Sequence, residues 1–162
     1  MFEMSRVRIP QSEIPRASEK QTSTLGPPAN APARRREARI LMIDDELALG
    51  EMICEFLSLS GHQAQFCPNA EDALGMMQGG HFDLIISDFR MPGLSGAQLF
   101  DQILALAPNL AHRVVFMTGD TVSAQAKEFF ERHEVPCLTK PFALPTLETF
   151  ISNQLQLLTP AA

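Results

Sequence analysis

Short apolar runs alternate with longer stretches of helical spacing through most of the chain. Ile40-Leu41-Met42-Ile43 is the first run, suited to a strand buried on both faces. Residues 46–60 then carry Leu49, Ile53, Phe56, Leu57 and Ser60 at helical intervals, with Gly61 as a stop. A second strand is predicted over residues 62–67. Asn69 reads as a helix N-cap, with Asp72 three residues on, then Ala73, Leu74, Met76 and Met77, and an end at Gly79-Gly80. Residues 82–87 form the third predicted strand, and residues 95–107 a helix that closes before Pro108. Residues 113–117 are the fourth strand, followed by a helix capped by Thr121 or Ser123 and running to about Arg132. Residues 135–139 are the fifth strand. Residues 143–158 are a final amphipathic helix with Leu144, Leu147, Phe150, Ile151, Leu155 and Leu158.

Strands alternating with helices in this way predict a parallel sheet covered on both faces, an α/β architecture. Five βα units favour a flavodoxin-like, doubly wound (βα)5 fold with strand order 2-1-3-4-5. In that order strands 1 and 3 are neighbours and the chain leaves them in opposite directions. The crevice at their carboxyl ends is the expected binding site.

Polar residues end four of the five runs. Asp44 and Asp45 follow the first, Asp88 the third, Thr118 the fourth and Lys140 the fifth. Three carboxylates in one crevice repel one another, so without a cation at least one should hold its proton more tightly than usual. A hard divalent ion such as Mg²⁺ removes that conflict. A carboxylate in such a setting can attack phosphorus and become an aspartyl phosphate, with the Lys140 ammonium and Thr118 hydroxyl stabilising the transferred group.

The segments Ile43-Asp44-Asp45-Glu46, Ser87-Asp88-Phe89-Arg90-Met91-Pro92-Gly93-Leu94-Ser95-Gly96, Met117-Thr118-Gly119-Asp120 and Thr139-Lys140-Pro141-Phe142 resemble, in order and spacing, a response-regulator receiver domain of two-component signalling. The resemblance covers residues 39–158. It implies that Asp88 is the phosphoacceptor, supplied by a phosphohistidine. It implies that Asp45 and Asp88 bind Mg²⁺ directly, Asp44 through water, with the Arg90 backbone carbonyl as a further ligand. Thr118 and Lys140 would hold the phosphoryl oxygens, and the Lys140–Pro141 peptide would be cis. Such a domain catalyses its own phosphorylation and dephosphorylation and is no separate enzyme.

One departure concerns the output face. Receivers of this kind usually carry an aromatic residue three positions before the lysine, where this chain has Cys137. A different core packing with the same output is one reading. The sharper one is that the domain mainly passes on or stores phosphate and moves the face around its fourth-strand helix and fifth strand little. Arg90 and Asp120, two positions after Asp88 and Thr118, are expected to approach each other across the crevice mouth and to modulate phosphoryl lifetime.

Composition bounds these readings. The 162 residues, 45 % hydrophobic, suffice for one domain with a full core. No apolar stretch approaches the roughly 18 to 20 residues of a membrane span, and no secretory signal pattern opens the chain. Cys54, Cys67 and Cys137 lack metal spacing and suit reduced core residues in a cytoplasmic protein. The four histidines share no face. Residues 1–39 hold 8 Lys/Arg against 4 Asp/Glu, and the rest 5 against 15, so a basic segment precedes an acidic body that does not suit nucleic acid. Residues 11–38, with Pro15, Pro27, Pro28 and Pro32, read as a disordered linker, and 159–162 as a tail.

Residues 1–10, ending Arg6-Val7-Arg8-Ile9-Pro10, resemble the last strand of a histidine-kinase ATP-binding domain. The expectation is therefore the terminal receiver of a hybrid histidine kinase. A stand-alone response regulator or phosphate sink is the alternative, since the chain ends about one helix after Lys140. The partner is a histidine kinase or phosphotransfer protein. The last helix suits packing on the sheet or a weak homodimer. A haloacid-dehalogenase-type phosphatase also uses strand-end carboxylates and Mg²⁺, but its nucleophile follows the first strand with a second acid two residues on, where this chain has Leu47 after Asp44-Asp45-Glu46.

Overall fold

The computed structural model describes residues 37–121 and 123–158. The strand expected within residues 1–10, the linker up to residue 36 and the tail at 159–162 lie outside the described residues. Among the described residues the elements run β1 (Arg39–Ile43), α1 (Leu47–Leu59), β2 (Gln63–Cys67), α2 (Ala70–Gly79), β3 (Leu84–Asp88), α3 (Gly96–Leu106), α4 (Pro108–Ala111), β4 (Val114–Thr118), α5 (Ala124–His133), β5 (Cys137–Thr139) and α6 (Leu144–Leu158). All strand pairs are parallel, in the order β2-β1-β3-β4-β5. This is the doubly wound flavodoxin-like sheet that the alternation predicts.

The period-2 alternation of the strands sorts the core into two halves. Leu41, Ile43, Ile85, Val114 and Phe116 face α2, α3 and α5, which contribute Ala73, Met77, Leu99, Phe100, Ile103, Ala126 and Phe129. Ile40, Met42, Leu84, Ile86, Val115 and Met117 face α1 and α6, which contribute Ile53, Leu57, Leu147 and Ile151. The central strands are thus buried on both sides, which is why they read as continuous apolar runs and not as alternating ones. Gly50 in α1 admits the Phe66 ring of β2 so closely that a Cβ there would overlap it.

Several helix boundaries follow from side-chain caps. The Asn69 side chain accepts from the Asp72 N–H, and Ser123, not Thr121, caps α5 by accepting from the Ala126 N–H. Ser95 and Gln98 form a reciprocal capping box at the start of α3. Other boundaries depart from expectation. Pro108 does not only stop α3; it opens the one-turn helix α4, because proline suits a first helical position. β3 starts at Leu84, not residue 82, and the Phe82 carbonyl instead accepts from the Arg113 guanidinium. β5 starts at Cys137, not residue 135, although the Pro136 carbonyl accepts the Phe116 N–H. Ala38, expected within the linker, is buried, and its carbonyl accepts from the Gln63 N–H at the mouth of β2.

Candidate functional site

Parallel strands point their carboxyl ends the same way, so Asp44, Asp88, Thr118 and Lys140 gather at one edge of the sheet. β1 pairs with β3 and β3 with β4, which brings Asp44 beside Asp88 and sets Asp88 level with Met117, one residue before Thr118. The Lys140 N–H donates to the Thr118 carbonyl at 2.8 Å, which carries the lysine in from the edge strand. The Lys140–Pro141 peptide is cis.

Each acidic residue has a different environment. Asp44 is fully buried. Its Oδ1 accepts the Glu46 N–H at 2.9 Å, and its Oδ2 accepts from Lys140 Nζ at 2.9 Å. Asp88 is 7 % exposed and lies 3.2 Å from the same ammonium. Asp45 is exposed. Carboxylate oxygens of all three lie within 4.8 Å of one another.

The electrostatics follow from this crowding. Burial holds the Asp88 carboxyl above its ordinary range; the Lys140 ammonium pulls the other way, and the charges of Asp44 and Asp45 add to the rise. For Lys140, burial alone would favour the neutral amine. The hydrogen bond to Asp44 and the charge of Asp88 outweigh it, so the lysine holds its proton more tightly than usual. The donor set is therefore three hard carboxylates with one resident ammonium too small in charge to neutralise them. That set suits Mg²⁺ or a like ion, which prefers oxygen ligands and keeps part of its water.

The flanking positions are also placed. The Arg90 guanidinium makes a two-pronged contact with Asp120 Oδ2, through Nε at 2.7 Å and through Nη2. Asp120 Oδ1 accepts the Ser123 N–H, which ties the pair to the start of α5. The Thr118 hydroxyl accepts from the Asp120 N–H and donates to the Asp120 carbonyl. In this arrangement the hydroxyl is turned to its own loop. Cys137 is half-buried beside a cluster formed by Phe89, Phe116, Phe129 and Phe130. Burial, with the Asp88 charge adding, pushes its thiol up to about 11, so it stays protonated at neutral pH.

Two features escaped the sequence. Phe89, next to Asp88, packs at a tilt against Phe130 and Phe129 with ring centroids 4.9 and 5.1 Å away, linking the site to α5. Ser87 is wholly buried and donates to the Asp88 carbonyl oxygen at 2.9 Å. A lone hydroxyl in the run Leu84-Ile85-Ile86-Ser87 was the available signal for the second. Among the described residues no helix is long and apolar enough to cross a membrane.

Comparison with known proteins agrees with this geometry. The family model described as response regulator receiver domain matches residues 40–152. The response regulator protein FleR of Pseudomonas aeruginosa is 35 % identical over 116 residues, 72 % of this chain and 24 % of FleR. The sensor histidine kinase RcsC of Escherichia coli is 27 % identical over 109 residues, 67 % of this chain and 11 % of RcsC. The chain thus spans a quarter or less of the length of these relatives. A CheY-like response regulator receiver domain protein from Methanospirillum hungatei JF-1 shares the fold, with a TM-score of 0.68 at 22 % identity, over 76 % of this chain and 97 % of that one. With the family model covering most of the chain and the acidic crevice at the strand ends, the chain belongs to the response regulator receiver domain family.

Proposed function

We propose that Asp88 accepts a phosphoryl group from a phosphohistidine in a His-to-Asp phosphorelay and later passes it on or loses it to water. The observation that supports this most is Lys140 Nζ, placed 2.9 Å from Asp44 and 3.2 Å from Asp88 at the strand switch point. In the proposed step an Asp88 Oδ attacks phosphorus, the P–N bond to the histidine breaks, and the electron pair returns to the imidazole nitrogen. Lys140 swings from carboxylate to phosphoryl oxygen, and Thr118 Oγ1 turns from the Asp120 backbone to a second phosphoryl oxygen. Asp44, Asp45, Asp88 and the Arg90 carbonyl would hold Mg²⁺, which when bound offsets the negative charge that donor and carboxylates bring together. The domain carries one acylphosphate at a time on its own side chain, so it acts as an acceptor within the relay and not as a separate enzyme.

Beryllofluoride, a phosphoryl mimic, tests the assignment. The protein should bind it only with Mg²⁺ present, and Asp88→Asn should not bind it. Amide NMR spectra with and without beryllofluoride test the reading of Cys137, which predicts small shifts across residues 121–145. Large shifts there would sink the idea of a receiver without a strong output face.

Arg90 and Asp120 are proposed to set phosphoryl lifetime by closing the crevice mouth to water. Because the Arg90 side chain is 62 % exposed, the pair contributes under about 1 kcal/mol to stability. Arg90→Ala should shorten the lifetime several-fold with nearly unchanged melting, and Asp120→Ala should shorten it as much while melting somewhat lower, since it also gives up the Ser123 N–H. Decay at the wild-type rate in both variants would discard the role.

For context, the proposal is the receiver module of a hybrid sensor histidine kinase, supported by the likeness to RcsC. The higher identity to FleR supports the alternative, a response regulator. An antibody raised against the receiver separates a stand-alone protein from a multidomain one. A cellular band near 17.9 kDa indicates the first, and a much larger band the second.

A further inference from the structure

Two residues that the proposed step does not use bear on the Asp88 main chain. Ser87 spends its buried hydroxyl on the Asp88 carbonyl oxygen. An apolar side chain would fill a strand interior without the desolvation cost of a hydroxyl, so this serine is not explained by packing. Gly96, the first residue of α3, is buried, and its N–H donates to the Phe89 carbonyl at 3.1 Å. A Cβ on Gly96 would lie 2.6 Å from the Asp88 carbonyl oxygen, 2.9 Å from Phe89 Cα and 2.9 Å from Phe116 Cε1. Two of these are backbone atoms and the third belongs to a fully buried ring, so none has room to retreat.

The helix cannot easily give way either. Its first turn is fixed by the Ser95–Gln98 capping box, and Leu99, Phe100 and Ile103 seat it in the core. The backbone that carries the Asp88 carboxylate is therefore held by a hydroxyl bond and by direct contact with α3. Phosphoryl transfer depends mainly on placement, and an error of about 1 Å at the reacting atoms can cost about a hundredfold in rate.

We propose that Ser87 and Gly96 are positioning residues for phosphoryl transfer, holding the Asp88 main chain so that its carboxylate stays aligned with Lys140. The proposal rests on the reading of Asp88 as phosphoacceptor.

The test is the initial rate of phosphorylation by acetyl phosphate, over a concentration series at saturating Mg²⁺, with melting curves alongside. Wild type, Ser87→Ala, Ser87→Thr, Gly96→Ala and Asp88→Asn are compared. Gly96→Ala should lower the limiting rate about 10- to 100-fold, and Ser87→Ala about three- to tenfold. The half-saturating concentration should not move, and Ser87→Thr, which keeps the hydroxyl, should recover most of the rate. Should Gly96→Ala fail to fold, Ser87→Ala, which leaves the strand ladder intact, decides alone. Wild-type limiting rates in the variants overturn this inference and leave Asp88 as acceptor. Ser87→Thr no faster than Ser87→Ala, with rate loss tracking melting, assigns the residues to folding and also overturns it. An unlabelled wild type brings down the reading of Asp88 itself.

Discussion

Asp88→Asn should raise the melting temperature of the metal-free protein at neutral pH while removing its capacity to carry a phosphoryl group. The carboxyl is nearly buried and faces two like charges, so the folded state binds its proton more tightly than the unfolded chain does. A carboxyl raised in this way makes folding stability fall as pH rises from the ordinary carboxylate value through the raised one. Above that window the full penalty of an ionised Asp88 is carried by the native state. Asparagine removes the charge and keeps the shape, and Lys140 retains Asp44 as its partner. Melts in chelator across the acidic range should therefore show a decline with rising pH in wild type that is flattened in the variant. Added Mg²⁺ should raise the wild-type melting temperature by mass action and the variant's much less. A variant that melts lower than wild type at neutral pH in chelator would contradict the electrostatic account of the crevice.

Lys140→Met has the opposite sign. Among the described residues its ammonium is the one cation that reaches both Asp44 and Asp88, and removing it leaves two buried carboxylates facing each other. Such a loss costs about 1 to 3 kcal/mol once the partial exposure of the lysine is allowed for. The lysine holds its proton more tightly when folded, so its contribution is complete at all pH values below the ordinary lysine range. It fades only as pH rises through the raised folded value. The destabilisation should thus be full at neutral pH. Mg²⁺ should restore part of the stability by supplying charge to the same carboxylates. It should not restore phosphorylation, which loses a phosphoryl-oxygen donor and falls by about a hundredfold or more. Lys140→Arg should keep more of the stability than of the rate, because a planar fork does not occupy the place of a point charge. Denaturant melts and labelling rates, measured with and without Mg²⁺, read both effects.

Much of this fold was legible because its strands are buried on both faces. A run such as Ile40-Leu41-Met42-Ile43, ending abruptly in Asp44-Asp45, marks both a central parallel strand and its carboxyl end. The order of strands followed from crossover rules, and the site from where that order places the run ends. The edges were less legible. Pro136 reads as part of an apolar run, yet it has no N–H for the ladder, and β5 begins one residue later. Pro108 reads as a stop, and the same fixed φ that ends one helix begins another. Side-chain orientation was least legible. Spacing places Thr118 at the crevice but does not say that its hydroxyl is turned toward Asp120. Nor does it show that Phe89, Phe116, Phe129 and Phe130 converge, since that depends on how α5 seats against β4.

The most direct test of the central claim is intact-protein mass after brief incubation with Mg²⁺ and acetyl phosphate, for wild type and Asp88→Asn. The account predicts one added phosphoryl group in wild type, none in Asp88→Asn, and none in wild type when chelator is added first. An adduct of equal yield in Asp88→Asn, or one that forms without divalent ion, would contradict it.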